Sequence, residues 1–266
     1  MSNKVFLVLL VVPFILCSCQ TAPFTGRSQL IMVSVDQEKQ LGNEAWAQVS
    51  AENRISTNKK YTDALSRVGK NIAAEANRQD FDWEFKVFES NEANAFCLPG
   101  GKVAVYSGLF KYLANDAELS AVVGHEVGHA IARHGAERMS HDMIQQTGAK
   151  IVETAVGQSG GTSSQLWMVA YAGISNVGVV LPYSREQEYE ADKIGMVLMS
   201  KAGYNPQAAL DFWDKFSAIS KQSAIEEFFS THPMSTKRQE EMRKILPDAK
   251  LWYKDAAQKK DFGVKY

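Results

Sequence analysis

The sequence predicts an α+β domain, mainly α-helical, with a small antiparallel sheet beside one central apolar helix. Three observations carry this. Capping signals at Ser34, at Asn115 with Glu118, and at Ser184 with Gln187 each open a long run suited to a helix. Between residues 81 and 110 the pattern changes to short strand-like runs around a Pro-Gly-Gly turn. "ELSAVVGHEVGHAIARH", from Glu118 to His134, is an apolar-rich helix that carries histidines four residues apart. The 266 residues suffice for a sizeable core, as one large domain or two small ones. Twenty-nine basic and 30 acidic residues leave a net charge of −1, which gives no electrostatic reason to expect nucleic acid as a partner.

The first residues are a different material. "VFLVLLVVPFIL", Val5 to Leu16, follows one lysine and is unbroken in its apolarity. It is shorter than the roughly 20 residues that span a bilayer, so it reads as the core of a signal peptide over residues 1–18. "LCSC" follows. A leucine three residues before Cys19, with small residues between, resembles the bacterial lipobox and makes Cys19 the lipidated residue. Cys17 fits less well, because bulky Leu16 precedes it. Gln20, rather than Asp, follows the lipid site. By resemblance to Gram-negative lipoproteins, this sends the protein to the outer membrane, facing the periplasm. A plain secreted protein cut near Cys19 is the simpler alternative. Either way Cys97 is the cysteine left for the domain, which excludes an internal disulfide. It reads as a small core residue, with a regulatory thiol as the other possibility.

Residues 19–33 contain Pro, Gly and Thr without periodicity, and read as a tether. Residues 34–250 then form the domain. Ser34 caps a helix through "VDQEKQLGNEAWAQVSAEN", and "KKYTDALSRVGKNIAAEANRQ" is a second. "FDWEFKVFES" alternates Trp83, Phe85 and Val87 on one face of a half-buried strand. "NAFCLPGGKVAVYSGLF" is a short strand, a turn and a second strand, Lys102 to Tyr106. The central helix runs from Asn115 or Asp116 towards Arg138. From Ser140 to Val180 the chain is Gly-rich, and its apolar stretch is interrupted by Asn176. It reads as a pair of core helices or a lid rather than a membrane span. Ser184 opens a helix that stops at Gly203, and Asn205-Pro206 opens the next. A short helix from Lys237 ends before Pro247, and residues 251–266 read as a solvated tail.

Chemistry concentrates at H-E-V-G-H. Residues four apart share a helix face, so His125 and His129 can both reach one metal ion, at about 2 Å each. Glu126 lies about 100° round and can lean over the same site without ligating, placed to take a proton from water. A helix with two unrelated histidines is the bland alternative. A catalytic zinc needs a third protein ligand and an open position. His134 and His141 point elsewhere and read as surface histidines. Within "SREQEYEAD", Glu188 and Asp192 share one face. Glu188 can ligate, and Asp192 can accept the free ring N–H of a ligating histidine. A solvated acidic face, with Glu186 and Glu190 nearby, explains the same residues.

Four segments in order, "NAFCLPGGKVAVYSGLF", "ELSAVVGHEVGHAIARH", "SREQEYEADKIG" and "STHPMSTKR", resemble one family of zinc peptidases. That family contains the CAAX prenyl protease, the membrane protease HtpX and the periplasmic lipoprotein proteases BepA and LoiP. The resemblance implies a zincin-like fold, one zinc ion held by His125, His129 and Glu188, and Glu126 as the base. It implies a supporting role for Asp192, an active-site role for His232, and a part for Arg238. It also implies unfolded or misassembled envelope proteins as substrates. The sequence departs from its relatives in lacking the membrane helices of the HtpX and prenyl-protease branches and the repeats of the BepA branch. That makes prenylated peptides an unexpected substrate and leaves docking to assembly machinery without support. His232 has two readings: a donor to the oxyanion, or a cap on the open zinc position. Lys102, Val103, Ala104, Val105 and Tyr106 form either an exposed edge strand that pairs with extended substrate or a core strand. The rival functions are a non-catalytic chaperone that holds unfolded strands and an amidase for cell-wall peptides.

Overall fold

The computed structural model describes residues 19–144, 183–219 and 223–266. The signal-peptide expectation and most of the Ser140–Val180 expectation fall outside the described residues. The chain opens with a small antiparallel pair, β1 (Cys19–Thr21) and β2 (Ser28–Leu30). Helices α1 (Val35–Glu52) and α2 (Lys59–Ala76) follow. Ser34 caps α1 as expected, and the cap is a full box: its hydroxyl accepts from the N–H of Gln37 while the Gln37 side chain accepts from Ser34 N–H.

A three-stranded sheet holds β3 (Glu84–Phe88), β4 (Ala95–Leu98) and β5 (Lys102–Tyr106), in the order β3-β5-β4. The turn Leu98-Pro99-Gly100-Gly101 closes the β4–β5 hairpin, with Gly101 N–H donating to Leu98 O at 3.2 Å. Gly100 and Gly101 both have positive φ, which only glycine adopts without strain. The hairpin is antiparallel as expected, but β3 joins the far side of β5 in parallel, so the sheet is mixed. The edge-strand reading of Lys102–Tyr106 is therefore corrected: β5 is the middle strand, and all five residues are buried. Val103 and Val105 enter one apolar cluster, Ala104 and Tyr106 the other, and a strand buried on both faces belongs inside a sheet.

Helix α3 (Asp116–Ile131) carries H-E-V-G-H, and all sixteen of its residues are buried. It packs against β4, α2, α4 (Arg185–Lys201) and α5 (Gln207–Ala218). Asn115 caps it, its side chain accepting from Glu118 N–H. The Glu118 carboxylate reaches Ala114 N–H and Lys215 instead of closing a box on Asn115. The expected run to Arg138 breaks: Ala132 and Arg133 form a turn, Arg133 sits at φ 59°, and helical backbone resumes over 134–144.

The last helices are α6 (Ser223–Thr231) and α7 (Thr236–Asp255). α7 does not stop before Pro247 as the sequence predicts. Proline removes one intrahelical bond, yet buried Ala249 and the partly buried Trp252 beyond it keep the helix docked on the core. Two further expectations change. Residues 20–33 are no free tether: Ala22, Gln29, Ile31 and Val33 are buried, and Gln29 Nε2 donates to Ala132 O at 2.7 Å. Residues 251–266 return to α3, where Val264 O and Phe262 O accept from Asp116 and Ala117 N–H. Among the described residues, no helix is long and apolar enough to cross a membrane.

α3 and α4 meet backbone to backbone. A Cβ on Gly195 would lie 2.8 Å from His125 N and 2.9 Å from Gly124 C; one on Gly128 would lie 2.8 Å from Ala191 O. Backbone atoms cannot swing aside, so Gly195→Ala must push the two helices apart. The expected cost is about 1–3 kcal/mol, read as a lower urea midpoint with an unchanged slope. An unchanged midpoint would show slack between the helices.

Candidate metal centre

The packing of α3 on α4 sets one histidine-bearing face against one acidic face. His125 and His129 come from α3, Glu188 and Asp192 from α4, His232 from the segment after α6, and Arg238 from the first turn of α7. All six are buried. His125, His129, Glu188 and His232 each offer one ligating atom within 4.8 Å of the others.

The distances fit one small cation. His125 Nε2 lies 3.1 Å from His129 Nε2, and His129 Nε2 lies 3.2 Å from Glu188 Oε1. His125 Nε2 lies 3.6 Å from Glu188 Oε2. Ligands at about 2.0–2.1 Å in a tetrahedron stand about 3.3–3.4 Å apart. Asp192 Oδ1 accepts from His125 Nδ1 at 2.9 Å, which leaves the lone pair of His125 on Nε2, facing the cluster. His232 Nδ1 completes the group, 3.2 Å from His125 Nε2 and 3.1 Å from Glu188 Oε1.

Glu126 stands beside this cluster and outside it. Its Oε1 is buried, has no hydrogen-bond partner among the described residues, and lies 3.6 Å from His232 Nε2. Burial pushes its carboxyl above the usual range, against the pull of His232 and His125. Burial acts on Glu188 and Asp192 in the same sense and is the largest single effect, but the Arg238 guanidinium and the neighbouring histidines together hold both below the usual range. Arg238 donates to Asp192 Oδ1 at 2.8 Å and also through Nε to Oδ2. Its Nη1 lies 2.5 Å from Glu188 Oε2, a close ion pair whose angle misses hydrogen-bond geometry. Burial keeps His129 well below the usual imidazole range, and therefore neutral.

Every buried site residue that the sequence singled out on α3, α4 and α7, together with His232, is thus brought to one place. Lys102–Tyr106 is not part of it: Lys102 pairs with Asp82 and Glu84. His134 is a correction. It is fully buried, with its Nδ1 2.8 Å from His129 Nδ1, because the break at Arg133 turns it inward. His141 is exposed, as read. No sequence signal points to Tyr183, whose ring stacks on His129 at 3.8 Å between centroids. Nor does any point to Trp213, which packs edge-on against His125 under the Arg238 guanidinium.

The family model "Peptidase family M48" matches residues 59–246, and the chain belongs to that family. It is 34% identical to the "Mitochondrial metalloendopeptidase OMA1" of Schizosaccharomyces pombe, over 86% of this chain and 67% of that protein. It is 33% identical to the protein of the same name in Saccharomyces cerevisiae, over 88% and 71%. It is 30% identical to the "Beta-barrel assembly-enhancing protease" of Escherichia coli, over 86% of this chain but 47% of that one. The chain is a metalloendopeptidase of family M48, with a metal-binding His/Glu cluster consistent with zinc.

Cys97 lies on β4, buried, and burial pushes its thiol up, with the charge of Glu126 adding to the effect. In Cys17→Ser/Cys19→Ser protein, an aromatic disulfide reagent at pH 8 is expected to reach Cys97 at least about 100-fold more slowly in the native state than in urea. Equal rates would show a thiol open to solvent.

Proposed function

We propose that this chain is a zinc endopeptidase, held by a lipid on Cys19 at the periplasmic face of the outer membrane, that cuts unfolded or misassembled envelope proteins. The observation that carries the enzyme reading is Glu126. A buried carboxylate whose oxygen has no partner among the described residues, beside the His/Glu cluster, is costly to keep. Metal binding alone does not require it. The name of the Escherichia coli relative supports an envelope substrate, and "LCSC" supports the lipid.

A zinc ion on His125, His129 and Glu188 would supply Lewis acidity and lower the pKa of water at the site. Glu126 accepts a proton from the attacking water as its oxygen bonds to the peptide carbonyl carbon. When the C–N bond breaks, Glu126 returns that proton to the leaving amine. His232 stands 3.6 Å from Glu126 and donates to the developing oxyanion. Asp192 and Arg238 do no chemistry here; they orient His125 and Glu188. Because β5 is internal, pairing of substrate along Lys102–Tyr106 is not part of this reading.

Two measurements test it. In the chain from Gln20 onward, elemental analysis should give one zinc per chain. Glu126→Gln should keep the zinc and lose casein cleavage by about 10²–10⁴-fold, while Glu188→Ala should lose the zinc itself. Full biological activity in Glu126→Gln cells would turn the reading to a chaperone. In cells, Cys19→Ser should move the protein from the membrane fraction to the soluble fraction; retention in the membrane would refute the lipid anchor.

A further inference from the structure

The break after α3 has a chemical use that the H-E-x-x-H spacing does not contain. On an unbroken helix, residue 134 lies about 140° round from residue 129 and faces away. Here the turn at Ala132 and Arg133 swings the His134 ring back under His129, with ring centroids 4.9 Å apart. The left-handed conformation of Arg133 is held from outside: its guanidinium donates to Glu38, to Val33 O at 2.9 Å and to Gln20.

His134 has two ring nitrogens and two partners. Nε2 meets Glu190 Oε2 at 3.1 Å, and Nδ1 meets His129 Nδ1 at 2.8 Å. Glu190 also accepts from Arg27 Nε at 2.6 Å and from the Thr25 hydroxyl. An ionised carboxylate only accepts, so the proton of a neutral His134 sits on Nε2. Its Nδ1 is then a bare acceptor. Two bare nitrogens would not rest 2.8 Å apart, so His129 supplies the proton there. That fixes His129 as the Nδ1–H tautomer and turns its Nε2 lone pair to Glu188 and His125.

We propose that His134 is a positioning residue for the metal centre, which holds His129 in its ligating tautomer and orientation and is itself held by Glu190 and Arg27. The proposal rests on the reading of His125, His129 and Glu188 as metal ligands. It makes the segment after Cys19 part of the site's support. Arg27, between β1 and β2, bonds Glu190 with Nε and Glu137 with both terminal nitrogens, at 2.6 and 2.7 Å. Glu137 in turn accepts from Gln187, next to the ligand Glu188. Imidazole stands here where a carboxylate or a backbone carbonyl more often receives the free N–H of a metal-bound histidine.

The test uses the full chain, purified in detergent, and reads the zinc dissociation constant by competition with a chromogenic chelator. His134→Leu keeps bulk and removes the acceptor; His134→Asn returns an acceptor oxygen near the position of Nδ1. The leucine variant should bind zinc about 10–100-fold more weakly than wild type. The asparagine variant should stay within about threefold of wild type, and exposed His141→Ala should not differ from it. Thermal melts of the zinc-free proteins report whether each variant folds. Independently of any variant, long-range nitrogen-15 spectra of zinc-free wild type should show His129 protonated on Nδ1 and His134 on Nε2. Leucine and asparagine variants of equal affinity, or His129 protonated on Nε2, overturn the proposal. A wild type that binds no zinc overturns the metal-centre reading and the relay with it.

Discussion

Arg238 is fully buried and sets its guanidinium between Glu188 and Asp192, above the face of Trp213. A guanidinium in a dry core is tolerated only with its charge matched and its donors turned on acceptors; removing one partner of such a pair costs about 3–5 kcal/mol. That requirement ties three elements together. α7 must dock for Arg238 to arrive, α4 must present both acids on one face, and α3 must offer His125 to the remaining valence of Asp192. The charges also say what else belongs there. Glu126, Glu188 and Asp192 bring three negative charges when ionised, and Arg238 returns one. A divalent cation among the histidines makes the cluster neutral.

The histidine-bearing helix is braced at both ends by segments far away in sequence. At its N-terminus, the carbonyls of Phe262 and Val264 take the first N–H groups, and Tyr266 and Arg67 bond the Asp116 carboxylate. These are groups that a helix cannot satisfy for itself. At its C-terminus, Gln29 takes Ala132 O and Arg133 is bound to Glu38. Between the ends, glycine at 124, 128 and 195 lets α3 and α4 touch through their backbones. A metal centre needs its ligands within about 0.5 Å of their working positions. A helix pinned at both ends and along one side delivers that without relying on its own propensity.

The helices that position the site were legible because their signals are local. Ser34 caps its helix and Ser184 with Gln187 forms its box, as the sequence predicts. Spacing alone placed His125, Glu126 and His129. It left Glu188 and Asp192 open between ligands and a solvated face, and only the resemblance chose. What sequence could not carry is tertiary. Nothing local marks the turn at Arg133, since arginine in a left-handed conformation is held by Glu38 and Val33 from another part of the chain. From sequence alone His134 therefore reads as a surface residue. Proline usually ends a helix, but Pro247 sits in one whose far half is anchored by Ala249 and Trp252. A run free of periodicity reads as a tether, yet residues 20–33 dock through single polar contacts that leave no period. Whether Lys102–Tyr106 lies at an edge or in the middle was set by β3 joining its far side, a contact between residues well separated in sequence.

The same burial that makes this site expensive makes Glu126 useful. An ordinary exposed carboxylate is a weak base at neutral pH and returns a proton readily; a carboxylate pushed up by burial takes one more willingly. The neighbouring imidazoles of His232 and His125 pull the other way and keep the rise in check. A group that must first accept a proton and then surrender it works best when neither state is much preferred. Glu126 is given that balance by position: one turn of α3 sets it next to His125 and His129, while its free oxygen finds no partner among the described residues. Glu188, one helix away and also buried, is denied it by Arg238 and the nearby histidines, which hold its carboxyl well below the usual range, as the proposed ligand role requires. In the proposed mechanism two buried glutamates thus take opposite roles, and the guanidinium beside one of them helps to separate the roles.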